Sequence, residues 1–128
     1  MTSARTLACA GVLLALATLC GALGAHTLKG QLSEARLELW ETAVRYQFFQ
    51  SLGLVGVGLT QRGEDRSALR AAAALIVAGV VVFCGSLYAL ALGAPRLTGT
   101  LTPFGGLAWI AGWLLFAYGA WRPGHVRS

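Results

Sequence analysis

Charge is what this sequence has least of. Asp, Glu, Lys and Arg make up 12% of its 128 residues, against about 25% in an average soluble domain. A soluble domain of this size exposes much of its surface and needs charge to cover it. The shortage therefore excludes a disordered chain, a coiled coil and most soluble folds. Cysteine is scarce too: Cys9, Cys20 and Cys84 are an odd count without paired spacing, which excludes a disulfide framework and a zinc site. They read as small apolar fillers. The two histidines, His26 and His125, lie at opposite ends of the chain and make no metal set. No Ser-His-Asp set, Gly-rich phosphate loop or pair of carboxylates within an apolar segment is found, so nothing calls for a cofactor or for catalysis.

Apolar residues are abundant instead, at 56%. No Asp, Glu, Lys or Arg occurs in residues 6–28, 46–61, 71–95 or 97–121. A membrane-spanning helix needs about 20 mostly apolar residues. Three of these runs reach that length alone. The second reaches it if its helix starts earlier, with Arg45 near the membrane surface and its side chain extended toward the headgroups. In hydrocarbon the backbone must pair internally, as helix or closed barrel, and residues 71–83 lack the alternation a barrel strand requires. The expectation is an all-α integral membrane four-helix bundle, a single domain over 1–128 with spans near 6–26, 42–61, 70–93 and 103–121. Arg5 followed by an apolar stretch and Ala25 imitates a signal peptide, but Leu23 stands where cleavage prefers a small side chain, and Leu19 before Cys20 disfavours a lipoprotein site. The segment is read as the first span.

Arg5, Arg62, Arg66, Arg70, Arg122 and Arg127 fall on one side of such a bundle, and Lys29, Arg36, Arg45 and Arg96 on the other. This bias predicts an inner-membrane protein with both termini in the cytoplasm. The net charge of +5 suits anionic lipid headgroups. Basic residues stand singly at helix ends, with no basic patch interleaved with aromatics, so nucleic acid is not expected. The expected partner is the lipid bilayer, and a homo-oligomer stays open.

An internal repeat is visible at an offset of 69. Ala22-Leu23-Gly24-Ala25 recurs as Ala91-Leu92-Gly93-Ala94. Leu28 matches Leu97, Gly30 matches Gly99, Leu32 matches Leu101 and Trp40 matches Trp109. This reads as two tandem helical hairpins related about the membrane normal. Between spans one and two, Leu32, Ala35, Leu39 and Trp40 recur at helical spacing with Glu34, Arg36, Glu38 and Glu41 between them. A short amphipathic helix capped by Ser33 is expected, lying at the interface or running into span two, with the Trp40 N–H wet. Residues 62–70 form a polar turn, with Ser67 placed to cap the third span.

Helices in lipid associate through small residues. Gly24, Gly85, Ser86, Gly105, Gly106 and Gly112 are the candidates for such packing, among 17 glycines. Polar groups within spans are costly and often functional. Glu41 and Arg45 are four apart, in the favourable order for an ion pair. His26 closes the first span at the same depth. The candidate polar cluster is His26, Glu41, Arg45, Tyr46, Gln47 and Gln50, at the outer end of the bundle.

The segments Gly21-Ala22-Leu23-Gly24-Ala25-His26, Trp40-Glu41-Thr42-Ala43-Val44-Arg45-Tyr46-Gln47, Phe83-Cys84-Gly85-Ser86-Leu87-Tyr88 and Thr102-Pro103-Phe104-Gly105-Gly106, with Gly112-Trp113, carry a resemblance. The chain resembles the domain-of-unknown-function 423 family of small membrane proteins, related to eukaryotic transmembrane protein 256. That family usually has a His three residues after the Tyr-Gln pair. This chain has Gln50 there, which hydrogen-bonds but does not titrate. The resemblance implies a four-helix membrane protein and supplies no activity. The leading reading is a non-enzymatic membrane protein acting by packing and interaction. The alternative is a small transporter, or a lipid- or small-molecule-binding protein, using the polar cluster; a membrane enzyme is the third class left open. Small multidrug transporters rely on a carboxylate deep in the first span, and this chain has none there.

Overall fold

The computed structural model describes residues 1–121. Arg122, His125 and Arg127 lie outside the described residues. The described residues fold into four long helices. α1 is α-helical over Ser3–Leu23 and continues as a wider π turn over Gly24–Leu28. α2 runs Glu34–Gly63. α3 runs Ser67–Ala91, with a π turn at Val80–Cys84 between its α-helical parts. A 3-10 turn over Arg96–Thr100 leads into α4, Thr102–Trp121.

Local chemistry sets these ends. Ser33 caps α2, its Oγ accepting from the Arg36 N–H at 3.2 Å. The expected amphipathic segment is therefore the first turns of one 30-residue helix, with no break before the apolar part. α3 starts at Ser67 itself. Its N-cap position is Arg66 without a side-chain cap, so Ser67 does not act as the cap. At the other end of α3, Gly93 takes φ +106°. The Ala94 N–H reaches the Ala89 carbonyl at 2.9 Å and the Gly93 N–H reaches Leu90 at 3.1 Å. This Schellman closure needs a residue that adopts a left-handed φ without strain.

The helices form two antiparallel hairpins. α1 packs along α2, α3 packs along α4, and the hairpins meet through α2 and α3. Hydrogen bonds tie one end together: Ser3 Oγ donates to the Gly58 carbonyl at 2.7 Å, Gln61 Nε2 to Met1 at 2.7 Å, and Arg66 Nη1 to Gly119 at 2.9 Å. The N-terminus, the α2–α3 turn and the close of α4 thus share that end. The α1–α2 and α3–α4 loops share the other, here termed the loop end.

α1, α3 and α4, with the turns attached to them, are long and apolar enough to cross a membrane. α2 is long enough but more polar, and its polarity points inward. Gln47, Ser51 and Gln61 are buried, whereas Phe49, Leu52 and Leu59 are exposed. The outward faces of α1 (Val12, Leu16, Leu19) and α4 (Leu107, Ile110, Leu114) are apolar as well. This distribution fits hydrocarbon as the solvent, since lipid welcomes apolar side chains and polar ones need partners inside.

The 69-residue register is not carried into equivalent places. Gly24 is buried within a π turn at negative φ, whereas its counterpart Gly93 is an exposed helix stop. Trp40 and Trp109 each donate to the preceding helix, but Trp40 reaches Cys20 and Trp109 reaches Ile76. Residue 20 shifted by 69 is Ala89, not Ile76. α3 stops at Ala91, while α1 with its π turn runs on to Leu28, so the two crossings fall at different heights.

Candidate functional site

A polar chain links α1, α2 and α3 across the interior of the bundle. Gln47 projects inward from α2. Its Nε2 donates to the Leu13 carbonyl on α1 at 2.8 Å, and its Oε1 accepts from Tyr88 on α3 at 2.7 Å. Trp40, two helical turns away, meets the Tyr88 ring edge-on at 4.6 Å. Its indole N–H donates to the Cys20 carbonyl at 2.8 Å and the residue is 6% exposed. The expected wet indole is thus corrected: the α1 backbone supplies an acceptor close enough to replace water. Across the bundle, Gln50 Oε1 accepts from Trp113 Nε1 at 2.8 Å. An acceptor is what the indole needs, and Gln supplies one without titrating.

The six polar candidates divide into two groups. Gln47 and Gln50 belong to the interior network. His26, Glu41 and Arg45 are exposed at the loop end. Among the described residues no ion pair joins Glu41 to Arg45; the two pairs present are Arg66 with Glu64 and Arg70 with Asp65, in the α2–α3 turn. Helical spacing places Glu41 and Arg45 on one face, yet two exposed, flexible side chains gain little by pairing in water. Tyr46 does not join the charges. Its ring stacks on Trp109 at 6.0 Å and meets Phe83 at 5.2 Å, and Phe83 lies 4.5 Å from Trp109. An aromatic cluster therefore ties α2 to α3 and α4.

Glu41 and Arg45 do share a cavity. An open cleft of about 320 Å³ lies between α1 and α2 at the loop end. Gly21, Gly24 and Ala25 form one wall, and Trp40, Glu41, Val44 and Arg45 the other. His26 follows Ala25 and is not among the lining residues. The α1 wall is low because Trp40 demands it: a Cβ on Gly24 would stand 2.8 Å from the indole Cδ1.

The packing candidates separate in the same way. A Cβ on Gly105 would come within 2.5 Å of the Phe83 backbone nitrogen, and one on Gly112 within 3.2 Å of Ile76 and Leu75. Ser86 is buried, with Oγ 2.5 Å from Thr102 Oγ1 and 2.9 Å from the Phe83 carbonyl inside the π turn. Gly85 and Gly106 need correction: nothing lies within 4 Å of where their Cβ would sit, so neither mediates close approach. Three further glycines carry that role: a Cβ on Gly79 would overlap the Trp109 indole, one on Gly53 would lie 2.6 Å from Trp113, and one on Gly58 2.7 Å from Leu7. Gly105, Gly112 and Gly119 recur every seventh residue on the buried face of α4, a spacing that marks the interface in the sequence. Gly79 had no comparable signal, because its partner lies 30 positions away in the chain.

Long apolar helices, an apolar exterior and an interior of paired polar groups define a multi-pass helical membrane protein. The profile of a family described as "Protein of unknown function (DUF423)" matches residues 20–106, and the chain belongs to that family. It is 47% identical over 95 residues to a UPF0382 membrane protein of Staphylococcus haemolyticus, covering 74% of this chain and 77% of that one. It is 37% identical over 101 residues to the UPF0382 membrane protein YwdK of Bacillus subtilis, covering 78% and 82%. To the UPF0382 inner membrane protein YgdD of Escherichia coli K12 it is 34% identical over 102 residues, covering 80% and 78%. No solved structure matches the chain.

Proposed function

We propose that this chain is a non-enzymatic packing and interaction protein of the inner membrane, with α2 as a fourth span and both termini in the cytoplasm. One observation carries the reading. The buried polar side chains among the described residues are Thr6, Gln47, Ser51, Gln61 and Ser86, and none is an acid, a base or a histidine. General acid-base chemistry and proton-coupled transport most often use such a group within the bundle. Most of the interior polar atoms are also already bound to protein, Ser51 Oγ and Gln61 Oε1 excepted. What remains available is surface: the apolar belt for lipid and partner helices, and basic residues at both ends for anionic headgroups.

The orientation rests on the sequence bias of Arg5, Arg62, Arg66, Arg70, Arg122 and Arg127 against Lys29, Arg36, Arg45 and Arg96. A photo-crosslinker at Leu114 in cell membranes tests the interaction role. Discrete adducts with another copy or with a particular membrane protein are expected, and lipid adducts alone would overturn it. Single cysteines at Ser67 and Thr100, on a background lacking Cys9, Cys20 and Cys84, test the orientation. Thr100 should label from outside and Ser67 from inside, and the reverse pattern would sink it.

A further inference from the structure

The cleft between α1 and α2 has a use beyond packing. It holds one acid and one base on the same face of α2, four residues apart and not paired with each other. Arg45 is the last charge before the uncharged stretch 46–61. Arg45 and Arg62 are about 25 Å apart along the helix, close to the thickness of a hydrocarbon core of about 30 Å. With Arg62 near one boundary, Arg45 stands at the other, at the depth of lipid phosphates. The cleft is therefore placed where a headgroup already is.

Its chemistry is zwitterionic. Arg45 offers a planar cationic fork that suits a phosphate. Glu41 lies one turn toward the aqueous side and suits a cation. A purely anionic ligand would be repelled by Glu41. The other cation of this helix end, Arg36, leans onto the α3–α4 turn beside Gly93, with Nη1 3.7 Å from its Cβ position. A quaternary ammonium would call for an open aromatic face, but Trp40 is nearly buried. A primary ammonium, with N–H donors for the Glu41 carboxylate, fits better. The volume of about 320 Å³ is at the small end for ligand sites, enough for a headgroup with its acyl chains left in the bilayer. Gly21, Gly24 and Ala25 put no long side chain on the α1 side of the cleft, so the headgroup meets no steric barrier there.

We propose that the α1–α2 cleft binds the headgroup of an aminophospholipid, with Arg45 on the phosphate and Glu41 on the primary ammonium. The site does not depend on the interaction role proposed above, but its depth rests on the proposed reading of α2 as the fourth span. Native mass spectrometry of the full chain in detergent, titrated with short-chain phosphatidylethanolamine, phosphatidylcholine and phosphatidylglycerol, tests it. Phosphatidylethanolamine should bind about tenfold more tightly than the other two, the size of one charged hydrogen bond. Glu41→Gln should erase that preference. Arg45→Gln should weaken all three lipids by about tenfold. Ala25→Leu, at an exposed position on the cleft wall, should weaken phosphatidylethanolamine binding without changing charge. Both charged residues are exposed, so unaltered thermal unfolding of the variants is expected and separates site loss from misfolding. Equal affinity of the native chain for the three lipids, or preference surviving Glu41→Gln, would overturn the proposal. Free phosphoethanolamine binding as tightly as the lipid would overturn the lipid assignment in favour of a soluble ligand.

Discussion

Adjacent glycines at the start of α4 should respond to the same substitution with opposite signs. At Gly105 an added Cβ would lie 2.5 Å from the Phe83 nitrogen, 2.7 Å from its Cβ and 2.9 Å from its Cα. Two of these atoms are backbone within the π turn of α3, so no side-chain rotation relieves the overlap. Normal contact needs a displacement of about 1 Å. The same crossing is already tight from the other side, since Gly79 sits 3.0 Å, measured from its Cβ position, from the Gly105 carbonyl. Separating α3 from α4 there would also loosen the Trp109 bond to Ile76, now 3.1 Å. Overpacking of this kind costs about 1–3 kcal/mol, and the hydrogen bond adds about 1 kcal/mol. Gly105→Ala should therefore destabilise the bundle by about 2–4 kcal/mol. At Gly106 nothing lies within 4 Å, so Gly106→Ala removes chain freedom without a clash and should stabilise α4 by about 0.5–1 kcal/mol. Reversible unfolding in mixed micelles, followed by tryptophan fluorescence, measures both. A Gly105→Ala variant as stable as the native chain, or a Gly106→Ala variant that loses stability as Gly105→Ala does, would refute the close crossing.

Tyr88→Phe strands the Gln47 Oε1 and should cost about 1–2 kcal/mol, and Gln47→Leu should cost more because it also frees the Leu13 carbonyl. A double-mutant cycle in the same micelles should show coupling of at least about 0.5 kcal/mol between the two. Trp40→Phe keeps an aromatic ring but loses the bond to Cys20, for about 1 kcal/mol, and unchanged stability would show that water replaces it. Glu41→Ala and Arg45→Ala should be additive in thermal denaturation, because the two side chains do not pair. Strong coupling between them would mean that an ion pair forms in the membrane.

The membrane class and the number of helices were legible from the charge-free runs, whereas the start of α2 at Glu34 lies well before its charge-free run. The physics there is local, because each uncharged stretch must satisfy its own backbone in lipid. Ser33 as a cap was legible for the same reason, being a bond between near neighbours. The polar site was legible in its members and not in its grouping. Gln47, Gln50, Glu41 and Arg45 were picked out by residue type, but their division into an interior network and an exterior cleft depends on which faces of α2 meet α1, α3 and α4.

The sequence by itself determined that this chain lives in a bilayer and folds as helices, because hydropathy and backbone satisfaction act over stretches of about 20 residues. Only the tertiary structure decided which glycines matter. Gly105 and Gly106 are identical in composition and neighbours in sequence, and they differ by a rotation of about 100° around the helix axis, which turns one onto the Phe83 backbone and the other into open space. The same holds for the two tryptophans the repeat equates: Trp40 and Trp109 share a register position but donate to carbonyls at different heights. The crossing point of two helices is set by the shapes that meet there, and those shapes come from residues far apart in the chain.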